Sequence, residues 1–323
     1  MNETTPETVE AVEDVASESS SAASLLSVIR LLRPQHWIKN LLLLAPLLLA
    51  HELSDTSRLG PTLLAILSFS LIASLVYVIN DLLDVEADRL HPTKRHRPLA
   101  AGDLSMATGC VAIALLAAGG ITAALFVSTS LLALIAVYLA ATTVYSCWLK
   151  QVVIADVLML AGFYTLRLIA GGVAADVEVS EWLLAFSMFL FTSLAFSKRH
   201  AELSRLANES SSGDETVAAR RGYRVSDIGS VEVMGPVAGY MSVLVFALYI
   251  NRDGREEFYT YTWPLWIIAL LLLYWISRLW LLARRGKLPE DPVIFAVTDP
   301  VSLLVALLVG AMAVVAAAPW AAG

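Results

Sequence analysis

The chain has 323 residues, of which 58% are hydrophobic and 16% charged, with a mean hydropathy of +0.70. Those proportions exclude an ordinary water-soluble domain, and the recurring apolar runs of about 20 residues are those of a polytopic membrane protein. The net charge of −7 is concentrated in Met1 to Ala23, which holds Glu3, Glu7, Glu10, Glu13, Asp14 and Glu18 and no Lys or Arg, so overall acidity identifies no partner, and nucleic acid is not expected as one.

Residues 1–23 are rich in Ser, Thr and Glu and are expected to be disordered. They lack the basic start of a secretory signal, so no cleavage is expected. Residues 24–323 read as a single integral-membrane domain. Ser24 to Arg33 (SLLSVIRLLR) has helical apolar spacing with basic residues, which predicts a helix lying along the membrane interface. Nine spans follow, at roughly 37–53, 62–83, 105–127, 129–148, 152–173, 181–198, 234–250, 261–283 and 299–318. The fold class is therefore all-α, a membrane helical bundle. Pro46 predicts a kink in the first span. Cys110 and Cys147 lie in apolar runs without metal-like spacing and read as buried free thiols. Gly162 to Gly172 permits close helix packing and leaves room for a homo-oligomer.

Orientation follows from the cations. With the N-terminus in the cytoplasm and nine spans, eighteen of the 22 Lys and Arg residues fall on the cytoplasmic side. Arg58, Arg252 and Arg255 fall outside, Arg167 lies within a span, and the C-terminus is outside. Trp37, Trp148, Trp182, Trp263, Trp280 and Trp320 fall near span ends, as in an aromatic belt. The connection at about 199–233 carries a basic cluster, Arg220, Arg221 and Arg224. It reads as an interfacial helix on anionic lipid or as a lid over the site.

The most informative stretch is Tyr77 to Gly102, YVINDLLDVEADRLHPTKRHRPLAAG. Carboxylates at the mouth of an apolar helix are costly there and point to function. With Asn80 at 0°, Asp84 falls at about 40°, Asp88 at about 80° and Asp81 at about 100° around a helix. Four oxygen-bearing side chains thus share one face over about two turns. Hard ligands of this kind suit Mg2+, which keeps waters and binds substrate phosphates. Pro92 ends the helix, and Lys94 and Arg97 then supply positive charge for the rest of a diphosphate. The competing reading is an ordinary ion network between these acids and nearby Arg and Lys.

The run Asn80 to Asp88 has the form N-D-x-x-D-x-x-x-D. On this motif the chain resembles the UbiA superfamily of intramembrane prenyltransferases. Arg33 to Asn40 (RPQHWIKN), His91 to Gly102 (HPTKRHRPLAAG), Tyr145 to Lys150 (YSCWLK) and Ser197 to Leu203 (SKRHAEL) make it most similar to the decaprenyl-phosphate phosphoribosyltransferase branch. The resemblance implies a bundle of about nine helices around a cytoplasm-facing cavity with a lateral opening for lipid, in the plasma membrane. It implies transfer of 5-phosphoribose from phosphoribosyl diphosphate to polyprenyl (decaprenyl) phosphate, toward cell-wall arabinan. Prenyltransferases of the superfamily usually carry a second motif, D-x-x-x-D, after the sixth span. Here that position reads Lys198-Arg199-His200-Ala201-Glu202, with cations where acids are expected, which favours a lipid monophosphate or a sugar 5-phosphate over a prenyl diphosphate.

Under that reading Asn80, Asp84 and Asp88 hold Mg2+, with Asp81 a direct ligand or one step removed. Lys94 and Arg97 hold diphosphate. Lys39 and Asn40 face the same mouth, although Lys39 also reads as a snorkelling lysine. Tyr145 and Lys150 match a Tyr-then-Lys pattern of the superfamily, and Lys150 alone reads equally as an anchor. Lys198 and Arg199 are candidates for the 5-phosphate or the acceptor phosphate, with Glu202 either orienting them or touching a metal. Asp156 and Arg167 share a face of the fifth span, where Arg167 reads first as part of a buried network. Two other functions fit the composition: an aromatic-acceptor prenyltransferase using a polyprenyl diphosphate, and a transporter or lipid-binding scaffold.

Overall fold

The structure is a computed structural model and describes residues 26–209, 222–251, 259–289 and 291–317. The tail 1–23, Arg220, Arg221, Arg252, Arg255 and Trp320 lie outside them. Helices and the short connections between them make up the described residues, and the chain divides into two compact units, Met1–Leu41 with Leu63–Ile135 and Leu42–Thr62 with Ala136–Gly323.

The first unit begins with α1 (26–32), which ends where Arg33 takes a positive φ of 52°. The chain then winds as a 3₁₀ helix over Pro34–Leu44. This segment is tied by side-chain hydrogen bonds to α3 (Thr56–Leu83). Trp37 Nε1 donates to Ser74 Oγ at 2.9 Å, Ser74 Oγ donates to Leu32 O at 2.7 Å, and the Asn40 amide donates to Ser70 Oγ at 3.0 Å. α3 buries Phe69, Ile72 and Val78. Its Ser68 hydroxyl donates to Gly120 O at 2.6 Å in α6 (Met106–Val127), where the small residue lets the backbones approach. Between these helices lie α4 (Val85–Leu90) and α5 (Pro98–Ala101). α7 (Thr129–Cys147) begins in this unit and ends in the other.

The second unit holds α2 (Ala45–Leu49), α8 (Ala155–Ala175), α9 (Glu181–Glu209), α10 (Ile228–Ile250), α11 (Trp263–Arg284), α12 (Pro292–Thr298) and α13 (Pro300–Ala317). α9 packs along both α8 and α10, and α11 packs along α10 and α13. Its core includes Leu168, Phe191, Leu194, Leu203, Trp275, Leu279 and Trp280. The one polar function of Trp280 is met inside that core, because its Nε1 donates to Ser193 Oγ, which donates to Gly235 O. Arg58 caps α8, donating to Asp176 O at 2.8 Å, a cation at the negative end of the helix.

Seven described helices are long and apolar enough to cross a membrane: Thr56–Leu83, Met106–Val127, Thr129–Cys147, Ala155–Ala175, Val225–Ile250, Trp263–Arg284 and Pro300–Ala317. That is two fewer than the nine expected. The first expected span is split between 3₁₀ and α winding, with Pro46 in the first turn of α2. The sixth lies in α9, which carries Glu181 at its start and runs on past the cations at 198–199 through its polar half. The cysteines also differ from expectation. Cys110 and Cys147 are free but exposed, because a membrane helix packs on only part of its circumference and its apolar residues need not be buried in protein.

Gly171 marks the tightest packing of α8. A Cβ there would stand 2.2 Å from Leu43 O, a backbone atom that cannot yield, whereas a Cβ at Gly162 would meet nothing within 4 Å. Gly171→Ala is expected to lower stability by about 1–3 kcal/mol and Gly162→Ala to leave it unchanged, as read from thermal unfolding of the protein in nanodiscs.

Candidate functional site

The acidic motif lies where α3 gives way to α4. Asp84 interrupts the helix with φ −97° and ψ 5°. The ladder nevertheless continues, with Asp84 N donating to Asn80 O at 2.9 Å and Asp88 N donating to Asp84 O at 2.8 Å. Asn80, Asp81, Asp84 and Asp88 therefore remain on two consecutive turns. Asp81 and Asp88 are each 3% exposed, while Asn80 and Asp84 are half-buried.

Cations surround the buried pair. Arg33 Nη2 bonds both oxygens of Asp81, at 2.7 and 2.8 Å. Arg97 Nη1 donates to Asp81 Oδ1 at 3.0 Å and to Asp88 Oδ2 at 2.6 Å. Lys94 Nζ stands 3.9 Å from Asp88 Oδ1. The Arg33 guanidinium also lies 5.0 Å from the centre of the Tyr77 ring. His91 accepts from Thr93 N and Lys94 N through Nδ1 and shapes the turn that presents Lys94.

A second polar cluster occupies the second unit. Arg199 is 1% exposed. Its Nε contacts Asp156 Oδ2 at 2.6 Å, and its Nη1 pairs with Glu202 one turn on. Its remaining nitrogen, Nη2, is buried with no hydrogen-bond partner among the described residues. Asp156 also accepts from Tyr223 OH at 3.0 Å, and the same hydroxyl accepts from Ile154 N at 2.8 Å. Two backbone features mark this join. Ile154 has φ 70°, a conformation that a β-branched residue holds only under strain. Gly222 has φ 66°, and a Cβ on it would stand 2.3 Å from Gln151 O, so only glycine fits. Burial, and next the Asp156 charge, push the Tyr223 hydroxyl above the usual tyrosine range, so it remains a protonated donor at neutral pH.

The other residues singled out from the sequence are distributed as follows. Asn40 is buried and donates to Ser70, so it fastens the 3₁₀ segment instead of facing an open mouth. Lys39, Lys150 and Lys198 are half-buried. Tyr145 packs edge-on against Phe163. Arg167 donates to Phe163 O at 2.7 Å and to Tyr138 OH at 3.3 Å, among the rings of Tyr138 and Tyr164, which makes it part of a buried network.

Residues 41–298, most of the chain, match the UbiA prenyltransferase family. The protein is a member of that family. It is 36% identical over 287 residues to the uncharacterized protein y4nM of Sinorhizobium fredii, covering 88% of this chain and 55% of that protein. It is 36% identical over 273 residues to the nodulation protein NoeC of Azorhizobium caulinodans, covering 84% of this chain and 87% of that one. It is 30% identical over 286 residues to the decaprenyl-phosphate phosphoribosyltransferase of Mycobacterium tuberculosis, covering 87% and 90%. In fold it is similar to a UbiA homolog from Archaeoglobus fulgidus bound to DMAPP and Mg2+, with a TM-score of 0.65 at 18% identity over 89% of this chain and 99% of that one. The chain is thus a multi-pass membrane protein of the UbiA fold.

A divalent ion fits the donors present. Two buried carboxylates of the UbiA motif already converge on a single positively charged nitrogen, and Mg2+ is commonly held by one or two carboxylates with the phosphates of its substrate. Among the described residues no three His, Cys, Asp or Glu side chains are grouped as a metal site. Two residues of these clusters escaped the sequence reading. Arg33 was only one of many cytoplasmic cations, although it opens the RPQHWIKN run. Tyr223 had no local signal, because its partner Asp156 lies 67 residues away.

Tyr223→Phe removes a hydroxyl that serves both Ile154 N and the buried Asp156, leaving each one partner short. The expected cost is about 1–3 kcal/mol, measured as a lower unfolding temperature in nanodiscs. Tyr164→Phe, in the same unit, serves as the comparison for loss of a hydroxyl elsewhere.

Proposed function

We propose that this protein transfers the 5-phosphoribosyl group of phosphoribosyl diphosphate to a polyprenyl phosphate, decaprenyl phosphate among them, releasing diphosphate. The observation that carries this reading is the nature of the second cluster. Where prenyl diphosphate transferases place a second acidic motif, this chain has Lys198 and Arg199, and Arg199 keeps a buried N–H edge with no partner among the described residues, suited to a phosphate oxygen. The relatives named decaprenyl-phosphate phosphoribosyltransferase support it. The bias of Lys and Arg supports a site on the cytoplasmic face of the plasma membrane, where a soluble anionic sugar arrives.

In the reaction, an oxygen of the acceptor phosphate forms a bond to ribose C1 while the bond from C1 to the diphosphate oxygen breaks. The diphosphate leaves with the electron pair. Positive character builds on C1 and the ring oxygen, as in glycoside hydrolysis. The acceptor is already an anion, so no general base is required. Asp81 and Asp88, with Asn80 and Asp84 on the same two turns, would hold Mg2+, which when bound neutralises charge on the departing diphosphate. Lys94 and Arg97 hold the remaining diphosphate charge. Lys198 and Arg199 hold the 5-phosphate or the lipid phosphate, and Asp156 and Glu202 orient the Arg199 guanidinium. Lys39 in the first unit, and Tyr145 and Lys150 in the second, are further candidates for contact with substrate. Catalysis is then chiefly positioning and electrostatics.

Purified protein incubated with phosphoribosyl diphosphate, Mg2+ and polyprenyl phosphates of several lengths is expected to give lipids heavier by one phosphoribosyl unit, with inversion at C1 seen by NMR. Prenyl transfer to an aromatic acceptor from a polyprenyl diphosphate, without phosphoribosyl transfer, would overturn the reading. Asp84→Asn and Asp88→Asn are each expected to lower turnover by at least about a hundredfold while the protein still folds.

A further inference from the structure

The three cations around Asp81 and Asp88 are not equivalent. Arg33 engages both oxygens of Asp81, stacks over Tyr77 and is 17% exposed. It follows directly on α1 and is held on several sides. Arg97 makes no such fork. One of its nitrogens stands between the two carboxylates, at 3.0 Å from Asp81 and 2.6 Å from Asp88, and its side chain is 26% exposed. It sits on the turn between Lys94–His96 and Pro98, in extended backbone with φ −67° and ψ 141°. A single nitrogen bonded to both carboxylates supplies the positive charge that a divalent ion held by Asp81 and Asp88 would otherwise supply.

We propose that Arg97 is an exchangeable counter-ion. It neutralises the Asp81–Asp88 pair while no metal is bound, yields its place to the incoming divalent ion, and turns to the diphosphate that accompanies that ion. Arg33 stays on Asp81 throughout. The proposal rests on the metal site of the proposed function. Its physical basis is charge. Two buried carboxylates are matched by Arg33 and Arg97. Replacing Arg97 by a divalent ion leaves one positive charge too many and a guanidinium without its partners, and a diphosphate relieves both. Metal alone must therefore compete with Arg97, whereas metal with diphosphate does not. The two ligands consequently strengthen each other's binding through one side chain, a coupling that is reciprocal by linkage. Lys94, exposed and 3.9 Å from Asp88, is too distant to substitute for the bridge.

The test uses Mn2+ as a spin-active probe of the full chain in nanodiscs, with free Mn2+ read by EPR, with and without inorganic diphosphate. Wild type is expected to bind Mn2+ weakly alone and more tightly with diphosphate. Arg97→Gln is expected to bind Mn2+ alone about tenfold more tightly and to lose most of the gain from diphosphate. Arg97→Lys, which keeps a charge near the pair, falls between them and carries the same test if the Gln variant does not fold. Asp88→Asn loses binding in both conditions. Unchanged or weaker Mn2+ binding in the Arg97 variants, with binding still dependent on Asp88, overturns the exchange and leaves the metal site standing. Absence of Asp88-dependent Mn2+ binding, with and without diphosphate, overturns both.

Discussion

Two carboxylates buried side by side at the end of a membrane helix cannot stand without positive charge between them. Asp81 and Asp88 are in that position, and much of the first unit is arranged around it. The 3₁₀ segment Pro34–Leu44 is fastened to α3 through Trp37, Ser74, Asn40 and Ser70. That fastening brings Arg33 onto Asp81 across 48 residues of sequence. The loop after α4 turns back through Pro98 to bring Arg97 onto both acids. Desolvation of the pair is offset by these contacts, and the same contacts define where a cation belongs.

The second unit handles the same problem with the signs reversed. A buried guanidinium, Arg199, is held between Asp156 and Glu202, and Tyr223 holds Asp156 in turn. Here the cation is fully enclosed and the strain is local, in Ile154 at positive φ. Strain of this kind, about 1–3 kcal/mol, persists only where surrounding contacts dictate it. The Gly222–Tyr223 turn supplies those contacts. It ties the residues just before α10 to the beginning of α8.

The two clusters differ in what they leave available. In the first, the bridging cation is partly open to solvent and the acids are the fixed element. In the second, the acids are the clamps and one edge of the guanidinium lacks a partner among the described residues. An acidic site with a movable cation suits a metal carried by a diphosphate. A clamped cation suits a phosphate oxygen. Under the proposed function, this contrast favours a phosphosugar donor and a monophosphate lipid over a pair of acidic motifs built for one prenyl diphosphate.

Helix content, the membrane-spanning character and the shared face of Asn80, Asp81, Asp84 and Asp88 were determined by the sequence alone. Each depends on short-range periodicity, and a helical period of about 3.6 residues places positions 80, 84 and 88 together whatever surrounds them. The tertiary structure decided which charges meet. Arg33 rather than only Lys94 and Arg97 holds the acidic motif, Asp156 pairs with Arg199, and Tyr223 joins them from 67 residues away. The winding of the first expected span and the exposure of Cys110 and Cys147 were likewise hidden. Hydropathy reports that a residue is apolar, but protein and lipid are alike in that respect, and only packing distinguishes which of the two it faces.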